Sequence, residues 1–195
     1  MLRLRISMVV ICLAVPVTLA YSQTRRGSHL SITPGVDFSS MKSQDTNGTT
    51  VAFPEGTNLR VGGEFEFPVG RSGKWALILE PTFQRYTAHG PALLLYRSLE
   101  TPLGIRRYIA IKQNASLFVD VAAVGDIPFR FSMQVAGIDF VSTSFKKNLA
   151  AGAGISVSRF TLEYRYYSQR AGKDDTGSFT FNYNKRSIIL GYRLY

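Results

Sequence analysis

The stretch NLAAGAGISVSRFTLEYRYY, residues 148–167, decides the fold. Leu149, Ala151, Ala153, Ile155 and Val157 alternate with Ala150, Gly152, Gly154 and Ser156. After Ser158-Arg159 the beat resumes, with Phe160, Leu162, Tyr164 and Tyr166 set against Thr161, Glu163, Arg165 and Tyr167. Period-two alternation on both sides of a two-residue break spells a β-hairpin. One lane of this hairpin is uncharged, while the other is small or ionisable, with Glu163 and Arg165 in mid-strand.

The same unit recurs along the chain. Leu30 to Phe38, Leu59 to Phe67, Trp75 to Gln84, Ser98 to Arg106 and Leu117 to Val124 all alternate in this way. The last strand, ending at Tyr195, carries apolar residues on both parities, so its faces cannot be assigned. Met41 to Gly56, Thr87 to Ala92, Pro128 to Lys147 and Ser168 to Gly177 read as the longer connections, whereas the intervening turns are short. Eight strands with alternating long and short connections predict an all-β, antiparallel up-and-down barrel that crosses a membrane. Strands of ten or so residues match the ~9–11 needed to span a bilayer at a tilt.

The N-terminus differs in character. Arg3 and Arg5 precede an apolar run from Ile6 to Ala20, and small residues follow at cleavage spacing. This predicts a cleaved signal peptide over residues 1–22, leaving 23–195 as the barrel domain. The single cysteine, Cys12, would leave with it, and disulfides and thiolate metal sites leave too. The formal charge of +10 would fall to +8 with the loss of Arg3 and Arg5. Export makes nucleic acid an implausible partner for that charge. Its plain reading is scattered, solvated lysines and arginines rather than a dedicated anion site.

Alternation alone does not say whether the apolar lane faces lipid or a core, since a soluble lipocalin-type barrel shows the same beat. The apolar lane here is nearly free of charge apart from Arg97 and Arg107, and aromatics such as Trp75, Phe83, Phe160 and Tyr166 gather near strand ends. Both features favour lipid outside. Arg60, Glu64, Glu66, Glu80, Glu100, Arg106, Asp120, Glu163 and Arg165 then point into the lumen. An eight-stranded lumen is just filled by side chains, so these charges are expected to pair.

Glu80-Pro81-Thr82-Phe83-Gln84-Arg85-Tyr86, Leu99 to Arg106, Asp126-Ile127-Pro128-Phe129, Leu162 to Tyr167 and Ile188 to Tyr192 together resemble the outer membrane protein beta-barrel domain family of Gram-negative bacteria. That family is related in architecture to the small OmpA and OmpX barrels. The resemblance runs from Leu30 to the C-terminus. It implies residence in the bacterial outer membrane and says nothing about a ligand. Tyr195 stands where many such barrels end in phenylalanine.

Little in the chain points to catalysis. His29 and Ser31 lie one residue apart on the polar face of the first strand, a spacing open to a hydrolase, but at the expected periplasmic end. His89 falls alone in an expected loop at the opposite rim. Gly152-Ala153-Gly154 is followed by no helix and so is no nucleotide fingerprint. No cofactor and no metal is called for. The expectation is a non-enzymatic envelope-structural or surface-recognition barrel acting through its long extracellular loops, with a narrow channel as the alternative and a lipid-modifying hydrolase behind it. Its expected partners are outer-membrane lipid and lipopolysaccharide, with an extracellular partner received on Phe129, Phe131, Met133, Ile138, Phe140 and Phe145 of the segment Pro128 to Lys147.

Overall fold

The computed structural model describes residues 28–70, 73–89, 93–112, 114–135, 138–141, 146–173 and 179–194. The expected signal peptide lies outside them. The strands are β1 (His29–Asp45), β2 (Thr50–Val69), β3 (Trp75–Leu79), β4 (Thr82–His89), β5 (Leu93–Lys112), β6 (Ala115–Val135), β7 (Ile138–Val141), β8 (Lys146–Val157), β9 (Phe160–Lys173) and β10 (Phe179–Arg193). All pairings are antiparallel, and β1 pairs both β2 and β10, so the sheet closes on itself.

These ten elements make eight staves. β3 and β4 are one stave interrupted at Glu80-Pro81, because Pro81 has no N–H to give the ladder. The break is bridged by Gly63 N donating to Pro81 O and Glu80 N donating to Pro102 O. β7 is a short return that pairs with the far end of β6. At one rim β8 meets β9 through a two-residue turn, with Ser158 in the left-handed region at φ 56°. This rim also holds the β2–β3 and β5–β6 turns and the ends of β1 and β10; short turns mark it as periplasmic.

The barrel is inside-out relative to a soluble domain. Among the described residues, the buried side chains comprise 14 apolar and 23 polar or charged ones. Meanwhile Leu59, Val61, Leu103, Val121, Leu149 and Leu162 are all more than half exposed on the outer wall. Residues that lose no apolar surface to a core need lipid outside, and this excludes the soluble lipocalin-type barrel.

Parts of three expected connections, Met41 to Gly56, Thr87 to His89 and Ser168 to Lys173, are strand instead. Pro128 to Lys147 carries strands on both sides of Gly137, as the alternation of Phe129, Phe131 and Met133 and then Ile138 and Phe140 suggests. Met41 to Gly56 is a hairpin whose ladder runs from Met41↔Phe53 to Gln44↔Thr50 around a tight turn. Pro128 to Lys147 is strand as far as Val135, followed by β7. His89 ends β4, opposite Leu93, and does not lie in a loop. Above the lipid-facing belt the sidedness reverses. Met41 and Phe53 turn inward, where they join Tyr86, Tyr96, Phe181 and Tyr183 in one buried cluster, while Lys42, Gln44 and Arg85 turn outward. Water surrounds this part of the barrel, so the apolar lane changes face.

The wall is not uniformly laddered. β2 pairs with β4 only at Arg60↔Gln84, Val61↔Phe83 and Gly62↔Thr82. Higher up, side chains take over: Thr87 N donates to Asn58 Oδ1 at 3.3 Å and Tyr86 OH to Pro54 O at 3.3 Å. Pro54 can donate nothing in return.

Candidate functional site: the barrel lumen and its extracellular mouth

All nine charged residues expected in the lumen are buried there. Period-two geometry puts every second residue of each stave inside, and closure brings opposite walls within side-chain reach. The lowest layer surrounds Arg106. Its Nη1 and Nη2 donate to Glu64 at 2.8 Å each, Nη2 also reaches Glu163 at 2.9 Å, and Nε meets Asp120 at 3.1 Å. Glu66 lies 3.4 Å away and accepts from Tyr108 OH at 2.5 Å. Beneath the guanidinium the Phe118 ring sits 4.2 Å from it. That ring occupies the space that Gly154 leaves; a Cβ there would overlap both the ring and Leu162 O.

Glu80 holds the middle. One carboxylate oxygen accepts from Arg60 Nη2 at 2.7 Å and the other from Arg165 Nη1 at 2.5 Å. Arg60 also reaches Thr82 at 2.9 Å and donates across the lumen to Tyr167 OH at 2.8 Å. Arg165 Nε donates to Glu163 at 2.5 Å, which ties this layer to the one below.

Of the upper layer, the sequence placed only Glu100 in the lumen. Glu100 receives both Arg170 and Lys185; Arg170 also pairs with Asp126 at 2.8 Å, and Lys185 donates to Gln84 at 2.9 Å. Tyr96 OH donates to Asp126. Lys185 belongs to the strand whose faces could not be assigned, and Arg170 and Asp126 to stretches taken as connections or their edges. Asp37 was visible on the polar lane of the first strand and lies inside too, bonded by Ser187 OH at 2.5 Å. The aromatic cluster caps this layer, with the Tyr86 and Tyr96 rings edge-on to Tyr183 at 5.7 and 5.8 Å.

Among the described residues the lumen thus holds five basic side chains against eight carboxylates. His29 sits at the periplasmic rim, beyond the lipid-facing stretch, with Nε2 3.7 Å from Glu66. Burial and the positive charge of Arg193 lower its pKa against the opposing pull of Glu66. No hydrogen bond joins it to Ser31 among the described residues. No group of three or more His, Cys, Asp or Glu side chains placed to hold a metal occurs among them either.

Of the candidate recognition residues, Phe129 is on the outer wall, 60% exposed and stacked on Phe83 with ring centroids 6.5 Å apart. The backbones of Phe131 and Met133 continue β6, and Ile138 and Phe140 lie in β7, opposite Val135 and Met133. Phe145 lies outside the described residues.

The architecture has solved counterparts. The outer membrane protein OprG from Pseudomonas aeruginosa superposes at a TM-score of 0.58, with 12% identity over 86% of this chain and 96% of that one. The fold is that of a small outer-membrane barrel. Together with the apolar outer wall, it makes the chain an integral barrel of the outer-membrane type. The Ail protein of Yersinia pestis, solved in complex with the heparin analogue sucrose octasulfate, is similar at 16% identity and a TM-score of 0.46, over 86% of this chain and 99% of that one. No family model and no curated protein matches the sequence.

Proposed function

We propose that this barrel is a non-enzymatic scaffold with a closed lumen, which presents an extracellular surface for recognition and is anchored among outer-membrane lipid and lipopolysaccharide. The cross-barrel ion-pair column carries this reading. Arg60 on β2 reaches Tyr167 on β9, Lys185 on β10 reaches Glu100 on β5, and Arg106 on β5 reaches Glu163 on β9. Side chains from opposite walls meet in every layer, and the aromatic cap lies above them. Opening an aqueous path means separating buried charges from their partners.

Recognition then falls to the staves that rise past the lipid. β7 offers the side not paired to β6 as a strand edge, which suits a partner that adds a strand. The test joins two measurements on the full chain. In planar bilayers the folded protein should give no ohmic current steps, whereas steady conductance would favour the channel. Replacing Met133 to Phe140 with a Gly/Ser turn should abolish surface binding and leave heat-modifiable gel migration intact. Misassembly with no binding phenotype would refute recognition by this hairpin.

A further inference from the structure

The charge is unevenly distributed. Among the described residues, eight acidic side chains are buried in the lumen with five basic ones, and the described charged side chains outside it are mostly basic. On one arc of the outer wall that charge is in register. Arg85 on β4 is directly opposite Arg97 on β5, and the backbone of Arg97 pairs with that of Arg130 on β6 beside a bulge between Arg97 and Ser98. Like charges facing each other across a ladder destabilise it. The facing pair Arg85 and Arg97 calls for a counter-charge.

The described side chains supply none. Arg85 Nε donates to Thr87 Oγ1 at 3.4 Å, and Arg97 Nε is buried without a hydrogen-bond partner. The exposed carboxylates described on this half are engaged elsewhere: Asp45 accepts from the backbone N–H of Asn47 and Thr49, and Glu55 takes both bonds from Arg186. The position of the pair is equally telling. Two residues nearer the periplasm, β4 and β5 carry Phe83 and Leu99, with Ile127 of β6 opposite Leu99 and Phe129 stacked on Phe83. Apolar residues give way to arginines where the sidedness of the barrel reverses, which is the level of the outer-leaflet headgroups.

We infer that Arg85 and Arg97 form a binding site on the outer wall for the phosphate groups of an outer-leaflet glycolipid. Guanidinium groups match phosphate oxygens in pairs, and the aromatic row below accepts the acyl chains. This rests on the lipid-anchoring part of the proposed function and is independent of recognition by the β6–β7 hairpin, whose Gly/Ser replacement leaves both arginines in place.

The test uses the full chain folded in detergent, with bisphosphorylated lipid A as probe and its dephosphorylated form as comparison. Native mass spectrometry should show selective retention of the phosphorylated lipid. Each basic residue near an anionic surface contributes about fivefold, so Arg85→Gln/Arg97→Gln should lower retention at least about tenfold, while Lys42→Gln leaves it unchanged. A second readout separates binding from a structural role. Without lipid, Arg97→Gln should raise the thermal midpoint of heat-modifiable migration by relieving repulsion; with lipid A present, the unsubstituted chain should be the more stable. Equal retention of both lipids, retention unaffected by the double substitution, or full displacement by inorganic pyrophosphate at equimolar concentration would each overturn the site.

Discussion

Glu80 is the most exacting place to test the lumen. It is fully buried and is the shared counter-ion of two arginines, Arg60 at 2.7 Å and Arg165 at 2.5 Å. Glu80→Leu keeps the volume roughly and removes the charge. Arg60 is then left with Asp37 at 3.9 Å, and Arg165 with Glu163 at 2.5 Å and Asp120 at 3.8 Å. These fallback partners limit the loss but do not replace Glu80, since Asp37 is beyond hydrogen-bonding reach of Arg60 and Glu163 is already shared with Arg106. Breaking a buried pair costs about 3–5 kcal/mol, and that is the expected loss. The assay is urea unfolding from lipid vesicles, followed by fluorescence of the sole tryptophan, Trp75, which lies 45% exposed on the outer wall. Two controls accompany it. Glu55→Leu breaks the exposed pair with Arg186 and should cost less than about 1 kcal/mol. Glu80→Leu/Arg165→Met removes one orphaned charge and should recover about 1 kcal/mol or more. If Glu80→Leu falls within about 1 kcal/mol of the unsubstituted protein, the column does not stabilise the barrel. If conductance also appears, the lumen is better read as a path.

Three further outcomes are expected. The chain should fractionate with the outer membrane and migrate differently on gels when unheated, because a closed sheet leaves no edge for detergent to open; recovery as a soluble periplasmic protein would overturn this. Gly154→Val should cost at least about 1–3 kcal/mol or block assembly, since its side chain collides with Phe118 and Leu162 O, and an unchanged unfolding midpoint would contradict the packing. In hydrogen exchange, the amides of Arg85 to His89 that face β2 should exchange faster than those facing β5, and Asn58→Ala should accelerate Thr87 further; uniform protection across β4 would mean the seam is fully laddered.

The sequence by itself determined the class of the protein and most of its lower half. Period-two alternation is local, so each stave of the belt could be read alone, and the nine lumen charges from Arg60 to Arg165 followed from parity. Which lane faced lipid was an argument from charge and aromatic placement that the exposed outer wall then decided. The upper half was not legible, for one physical reason. Where the staves leave the bilayer, water replaces lipid outside and the apolar lane crosses to the inside. Met41, Tyr86 and Tyr183 therefore carry the opposite sign from residues at the same parity below, Phe53 turns inward because the register shift between Ser39 and Met41 changes the parity of β2, and a second shift lies between Tyr183 and Lys185. A pattern that changes sign and slips register looks like a polar loop, which is how Met41 to Gly56 reads. Partners across the barrel were beyond the sequence altogether. Arg60 and Tyr167 are 107 residues apart, and only the closure of the sheet with its stagger brings Arg170 to Glu100.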